Sequence, residues 1–190
     1  MWLAAPACML AFAACGGAGT GPPTPALQGA PIPPTPAPEI ALHDQQGNRV
    51  SLSSLQGNVV VLSFLGSKCG STCDVIAQQI RGALDEAGGG AVKVVIVSAE
   101  PHADTPASVK AFLERNDLAG RVLYLTGSPQ QLRTLYEAYH VHPPEIAGAA
   151  RFDEYAFVLV IDRAGRERAI FEAAELTPEA LATDIRRLGG

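Results

Sequence analysis

The sequence predicts an α/β sandwich, a mixed sheet with helices over both faces. Three observations predict it. Apolar runs rich in β-branched residues alternate with segments whose apolar residues fall on one helical face. Thr105-Pro106, Ser128-Pro129 and Thr177-Pro178 each place a capping hydroxyl before a proline suited to the first helical position. The strongest strand signal, Val59 to Leu65, runs through a short loop into a helical pattern, and Cys69 and Cys73 sit at that junction.

In chain order, residues 39–42 and 50–52 flank the turn-rich cluster Asp44-Gln45-Gln46-Gly47-Asn48, which predicts an N-terminal β-hairpin at an edge. Val59 to Leu65 is almost unbroken in its apolar character, as a strand covered on both faces must be. Gly66 and Ser67 end it. Ile76, Ile80 and Leu84 recur at steps of four on one helix face, and Gly88-Gly89-Gly90 stops that helix. A second strand covers residues 92–97. The three capped helices carry apolar faces of Val109, Phe112 and Leu113; of Leu132, Leu135, Tyr136 and Tyr139; and of Leu181, Ile185 and Leu188. Residues 122–125 form a strand between the first two. Phe157 to Ile161 precedes the turn Asp162-Arg163-Ala164-Gly165, and residues 169–171 return from it. The predicted order is β-β, β-α-β-α-β-α-β-β-α, without internal repeats.

Composition bounds the rest. With 190 residues, 47% apolar and 17% charged, the chain is of one domain's size once its first segment is set aside. A net charge of -5 offers no basic footprint for nucleic acid. Residues 1–38 contain no Lys, Arg, Asp, Glu or His, so a boundary is expected there. Residues 1–14 are mostly apolar but shorter than the roughly 20 residues that span a bilayer. They read as the apolar core of a signal peptide, and Phe12-Ala13-Ala14-Cys15 resembles a lipobox in which Cys15 carries the lipid anchor. Only Met1 and Trp2 precede Leu3, so the expected positive n-region is missing and the translation start is expected upstream. A plain secretory signal is the alternative. Residues 16–38, with eight prolines from Pro22 on, read as a semi-extended linker, or alternatively as a ligand for a proline-recognising domain. The expected division is 1–15 signal and lipobox, 16–38 linker and 39–190 domain. The expected location is the bacterial cell envelope, outside the cytoplasm and tethered to the membrane.

On this reading Cys69 and Cys73 are the free thiols of the mature protein. The thiolate is both nucleophile and metal ligand, and a helix N-terminus favours it. Lys68 adds a positive charge. A disulfide needs β-carbons closer than two turns of an ideal helix bring them, so Cys69 is expected in the loop and Cys73 in the first turn. The pair is then a disulfide, a site that uses both thiols together, or two inert buried cysteines.

At this point the residues resemble a family. FLGSKCGSTC with its CxxxC spacing, DTPASVKAF, YLTGSPQQL and FVLVIDRAGRE occur in the order seen in the SCO/SenC proteins, over essentially all of residues 39–188. The resemblance implies a thioredoxin-like α/β/α sandwich and a membrane-tethered copper chaperone that helps mature the dinuclear copper centre of cytochrome c oxidase. It implies copper held by Cys69, Cys73 and a distant histidine just before the strand Phe157 to Ile161. Here that position is Glu154, within Asp153-Glu154-Tyr155. Gly70 and Asp74 stand where the family usually has proline after each cysteine, and Asp74 is expected to oppose a lowered thiol pKa. Two thiolates without the histidine favour Cu(I) over Cu(II).

His140 and His142 offer a substitute ligand if that segment is extended, since alternate residues then face the same way. His43 and His102 read as surface residues. Glu154 reads as a weak oxygen ligand, a proton acceptor or a surface carboxylate. The functional alternatives are a copper carrier whose partner is the oxidase copper-centre subunit, and a thiol-disulfide oxidoreductase acting on another extracytoplasmic thiol protein. In the second, Cys69 attacks and Cys73 resolves. A peroxiredoxin-type enzyme ranks last, because it needs a threonine at position 66, where this chain has Gly66.

Overall fold

The computed structural model describes residues 26–142 and 156–190. Its strands are β1 (Ala30–Pro36), β2 (Ala41–His43), β3 (Arg49–Ser51), β4 (Val59–Leu65), β5 (Val92–Ser98), β6 (Val122–Leu125), β7 (Phe157–Ile161) and β8 (Arg166–Glu172). Its helices are α1 (Ser71–Ala87), α2 (Pro106–Arg115), α3 (Pro129–Ala138) and α4 (Pro178–Gly189), with a 3-10 turn at Ser53–Leu55.

The main sheet runs β1-β8-β7-β4-β5-β6. β4 pairs in parallel with β5 and antiparallel with β7, so it is the central strand at which direction switches. All seven of its residues are buried, as its unbroken apolar run requires. Val59, Val61 and Leu65 face a core filled by α1, α2 and α4 through Ile76, Ile80, Phe112, Leu181 and Ile185. Val60, Leu62 and Phe64 face a second core under α3 and the β2–β3 hairpin, with Leu42, Val50, Leu132 and Tyr136. The structure is the expected mixed sandwich. Thr105, Ser128 and Thr177 each cap their helix through the side-chain oxygen, and proline opens all three.

Two features differ from the sequence reading. The hairpin forms a two-stranded sheet of its own, β2–β3, touching the main sheet through the bridge between His43 and Thr126. The proline-rich stretch is also not linker throughout: residues 30–36 form β1, the edge strand beside β8. Proline's fixed φ is close to that of a strand, and an edge strand pairs on one side only, so the missing N–H groups are tolerated there. The register slips between Pro31 and Thr35, where Pro33 and Pro34 lie. Just before β1, the Gln28 and Gly29 amides donate to the two oxygens of Asp184, at 2.8 and 3.0 Å, and Asp184 is fully buried in α4. Among the described residues no helix is long and apolar enough to cross a membrane.

Candidate functional site

β4 ends at Leu65 and α1 begins at Ser71, so the five residues between them place Cys69 at the C-terminal end of the central strand. Cys73 falls in the first turn of α1. The expected division between loop and helix is what the structure has. The two are joined as a disulfide with Cα atoms 5.9 Å apart, inside the usual range of about 4.4–6.8 Å. They are unequal. Cys69 is half-buried, whereas Cys73 is fully buried and part of the core. No side chain caps the α1 N-terminus, and Cys73 lies in the first turn, at the positive end of a 17-residue helix.

Gly70, the N-cap, has φ of +82°. Proline is locked near -65° and cannot adopt that turn, so glycine after Cys69 goes with a different local backbone. Asp74, the other departure, is not an unopposed charge. Arg115 Nε lies 2.9 Å and Asn116 Nδ2 2.8 Å from Asp74 Oδ1. The same guanidinium donates through Nη2 to the Ser67 carbonyl at 2.9 Å and stacks over Phe112. The carboxylate expected to work against a thiolate thus carries its own cation.

Behind the loop lies a polar cluster that sequence reasoning missed. Asp104, buried between β5 and α2, accepts from the Ser67 amide at 2.7 Å, the Ser98 hydroxyl at 2.5 Å and the Tyr124 hydroxyl at 2.9 Å. Burial, then the Asp104 charge, push the Tyr124 hydroxyl pKa well above its ordinary value of 10.0, so it stays a donor. Glu100 packs directly on Gly66, and a side chain at position 66 would have to displace its carboxylate. That environment argues against the threonine of the peroxiredoxin reading. The available signal is the Asp that opens DTPASVKAF, just before the Thr105-Pro106 cap.

Glu154, Asp153, Tyr155 and the lipobox with Cys15 lie outside the described residues. His140 has φ of +55°, so the chain is not extended there and the premise that turned His140 and His142 the same way fails. His140 instead lines a cavity of about 480 Å³ with Tyr139, Phe157 and Glu167. Among the described residues no three His, Cys, Asp or Glu side chains gather into a metal-binding group.

Fold and site together define a thioredoxin-like protein with a cysteine pair, one member half-buried and the other fully buried. Residues 34–189 match the SCO1/SenC family model, and the chain belongs to that family. Among curated proteins none is a significant match. The structure resembles BsSco, a member of the Sco family of cytochrome c oxidase assembly proteins in which a disulfide switch has been identified (20% identity, TM-score 0.69, 85% of this chain and 96% of the other). It also resembles copper-bound ScoI of Bradyrhizobium japonicum (25%, 0.61, 81% and 99%). A third likeness is the thioredoxin domain of a thiol-disulfide oxidoreductase from Bacteroides vulgatus (18%, 0.62, 82% and 96%).

Proposed function

We propose that this protein is an extracytoplasmic, lipid-anchored SCO-type carrier that handles thiols and Cu(I) through Cys69 and Cys73, in assembly of the copper centre of a cytochrome c oxidase. The unequal pair carries the reading: a half-buried Cys69 in the loop, and a fully buried Cys73 in the first turn of a helix whose N-terminus no side chain caps. Family membership supports the copper role, as does the copper-bound Bradyrhizobium relative. The lipobox-like residues ending at Cys15 support the anchor.

Copper is cargo in this account. Two thiolates within disulfide reach suit a soft monovalent ion, which needs no imidazole. Glu154, at the family's histidine position, would supply only a hard oxygen.

The same pair performs thiol exchange. With both cysteines reduced, the Cys69 thiolate attacks a partner disulfide, a Cys69–partner bond forms, and the displaced partner sulfur leaves as a thiolate that takes up a proton. Cys73, as thiolate, then attacks Cys69 Sγ and releases the second partner sulfur. Two electrons pass to the partner, which leaves as a dithiol, and this chain is left with the Cys69–Cys73 disulfide. The second reading, an oxidoreductase without copper, is favoured by Glu154 in place of histidine.

Equilibration against glutathione buffers, read by thiol alkylation and mass, tests the reading. The pair is expected to interconvert reversibly with a potential above about -300 mV. A lower value would mark a structural crosslink and overturn both versions.

A further inference from the structure

The loop that carries Cys69 is held by residues far along the chain. Ser67, two residues before Cys69, is bound at each of its polar groups. Its amide donates to Asp104 Oδ1 at 2.7 Å, its hydroxyl to Ser108 Oγ at 2.9 Å, and its carbonyl accepts from Arg115 Nη2 at 2.9 Å. Two residues earlier, the Leu65 carbonyl accepts from the Tyr124 hydroxyl at 2.9 Å, and that hydroxyl also reaches Asp104 Oδ2. Asp104 joins these tethers. Its three partners, the Ser67 amide and the Ser98 and Tyr124 hydroxyls, all donate to it from a buried site. Loss of such a centre takes the acceptor from the Ser67 amide and the Ser98 hydroxyl, while the Tyr124 hydroxyl keeps the Leu65 carbonyl.

The geometry points to Asp104 as a positioning residue for the Cys69–Cys73 couple: it fixes the loop between β4 and α1 and thereby sets how readily Cys69 Sγ meets Cys73 Sγ. Cys73 is held by the helix and the core. The freedom left in the pair therefore belongs to the loop. Closing the disulfide is an intramolecular step, and its equilibrium depends on the effective concentration of one thiol at the other. A looser loop lowers that concentration and favours the dithiol. The inference rests on the reading that this pair cycles between the two forms.

The test measures the equilibrium constant for disulfide formation at one fixed pH, in glutathione buffers and, where these do not reach, in dithiothreitol buffers, for the full chain. Asp104→Ala is expected to lower the constant about tenfold, which for a two-electron couple is a potential about 30 mV less negative. Asp104→Asn keeps an acceptor for the Ser67 amide and is expected to recover most of that loss. Tyr124→Phe removes the hydroxyl that joins the Leu65 carbonyl to Asp104, leaving that carbonyl its bond from the Ala99 amide and leaving the carboxylate in place, and is expected to lower the constant about threefold; it decides the matter if Asp104→Ala does not fold. A melting temperature that falls while the constant stays at the wild-type value, in every folded variant lacking a tether, would make Asp104 merely structural and overturn the inference. A wild type locked as disulfide in all glutathione buffers would count against the proposed function instead, and the dithiothreitol comparison of variant with wild type would still judge Asp104.

Discussion

Arg115 sits 41 residues from Asp74 in sequence and 48 from Ser67, yet it contacts both. Its position answers what an acidic residue is doing in the turn that carries Cys73. Asp74 alone would disfavour a thiolate, but the guanidinium offsets that charge and also holds the loop. Both side chains are part-exposed, so the pair's own contribution to stability is small, at most about 1 kcal/mol. Its larger effect is local. In Arg115→Gln the Asp74 charge is left facing the sulfurs, and alkylation of Cys69 in reduced protein at pH 7 is expected to slow several-fold. Asp74→Asn is expected to speed it. Equal rates in all three proteins would show that this ion pair does not reach the thiols. Cys69 and Cys73 were legible in the sequence because a strand, two glycines and a helical period bracket them. Arg115 and Asp104 were not, because contacts across 37 to 48 residues leave no local pattern.

At the scale of the element, β1 shows how proline content misleads. Eight prolines argue for linker, and the residues that become strand carry no alternation to contradict it. What places them in the fold lies elsewhere: the open edge of β8 and the buried carboxylate of Asp184, which takes the amides of Gln28 and Gly29. A chain beginning at Glu39 would keep every helix but expose β8 and strand a buried charge. Compared with a chain beginning at Ala26, it is expected to show the same helical circular dichroism and to lose about 3 kcal/mol or more in urea unfolding. Equal midpoints would show that β1 contributes nothing to the fold. The three capped helices, by contrast, were legible almost to the residue, because a hydroxyl cap followed by proline is a local device that tertiary contacts rarely override.

Across the whole molecule, the site follows from topology. β4 is flanked by β5 and β7 inside the sheet, and α1 follows directly from its carboxyl end, so the junction between them carries the cysteine pair at that end of the sheet. Both cores enclose β4, α1 begins uncapped at that end, and the loop between them carries the half-buried Cys69. The central claim is that this sulfur pair binds Cu(I) when reduced and surrenders that capacity when oxidised. Competition between the reduced protein and a coloured Cu(I) chelator tests it directly. The account predicts uptake of about one Cu(I) per chain, abolished by oxidation to the disulfide and by either Cys69→Ser or Cys73→Ser, because each removes half of the soft donor set. Reduced wild-type protein that leaves all copper on the chelator, or that binds it equally well after Cys73→Ser, would contradict the account.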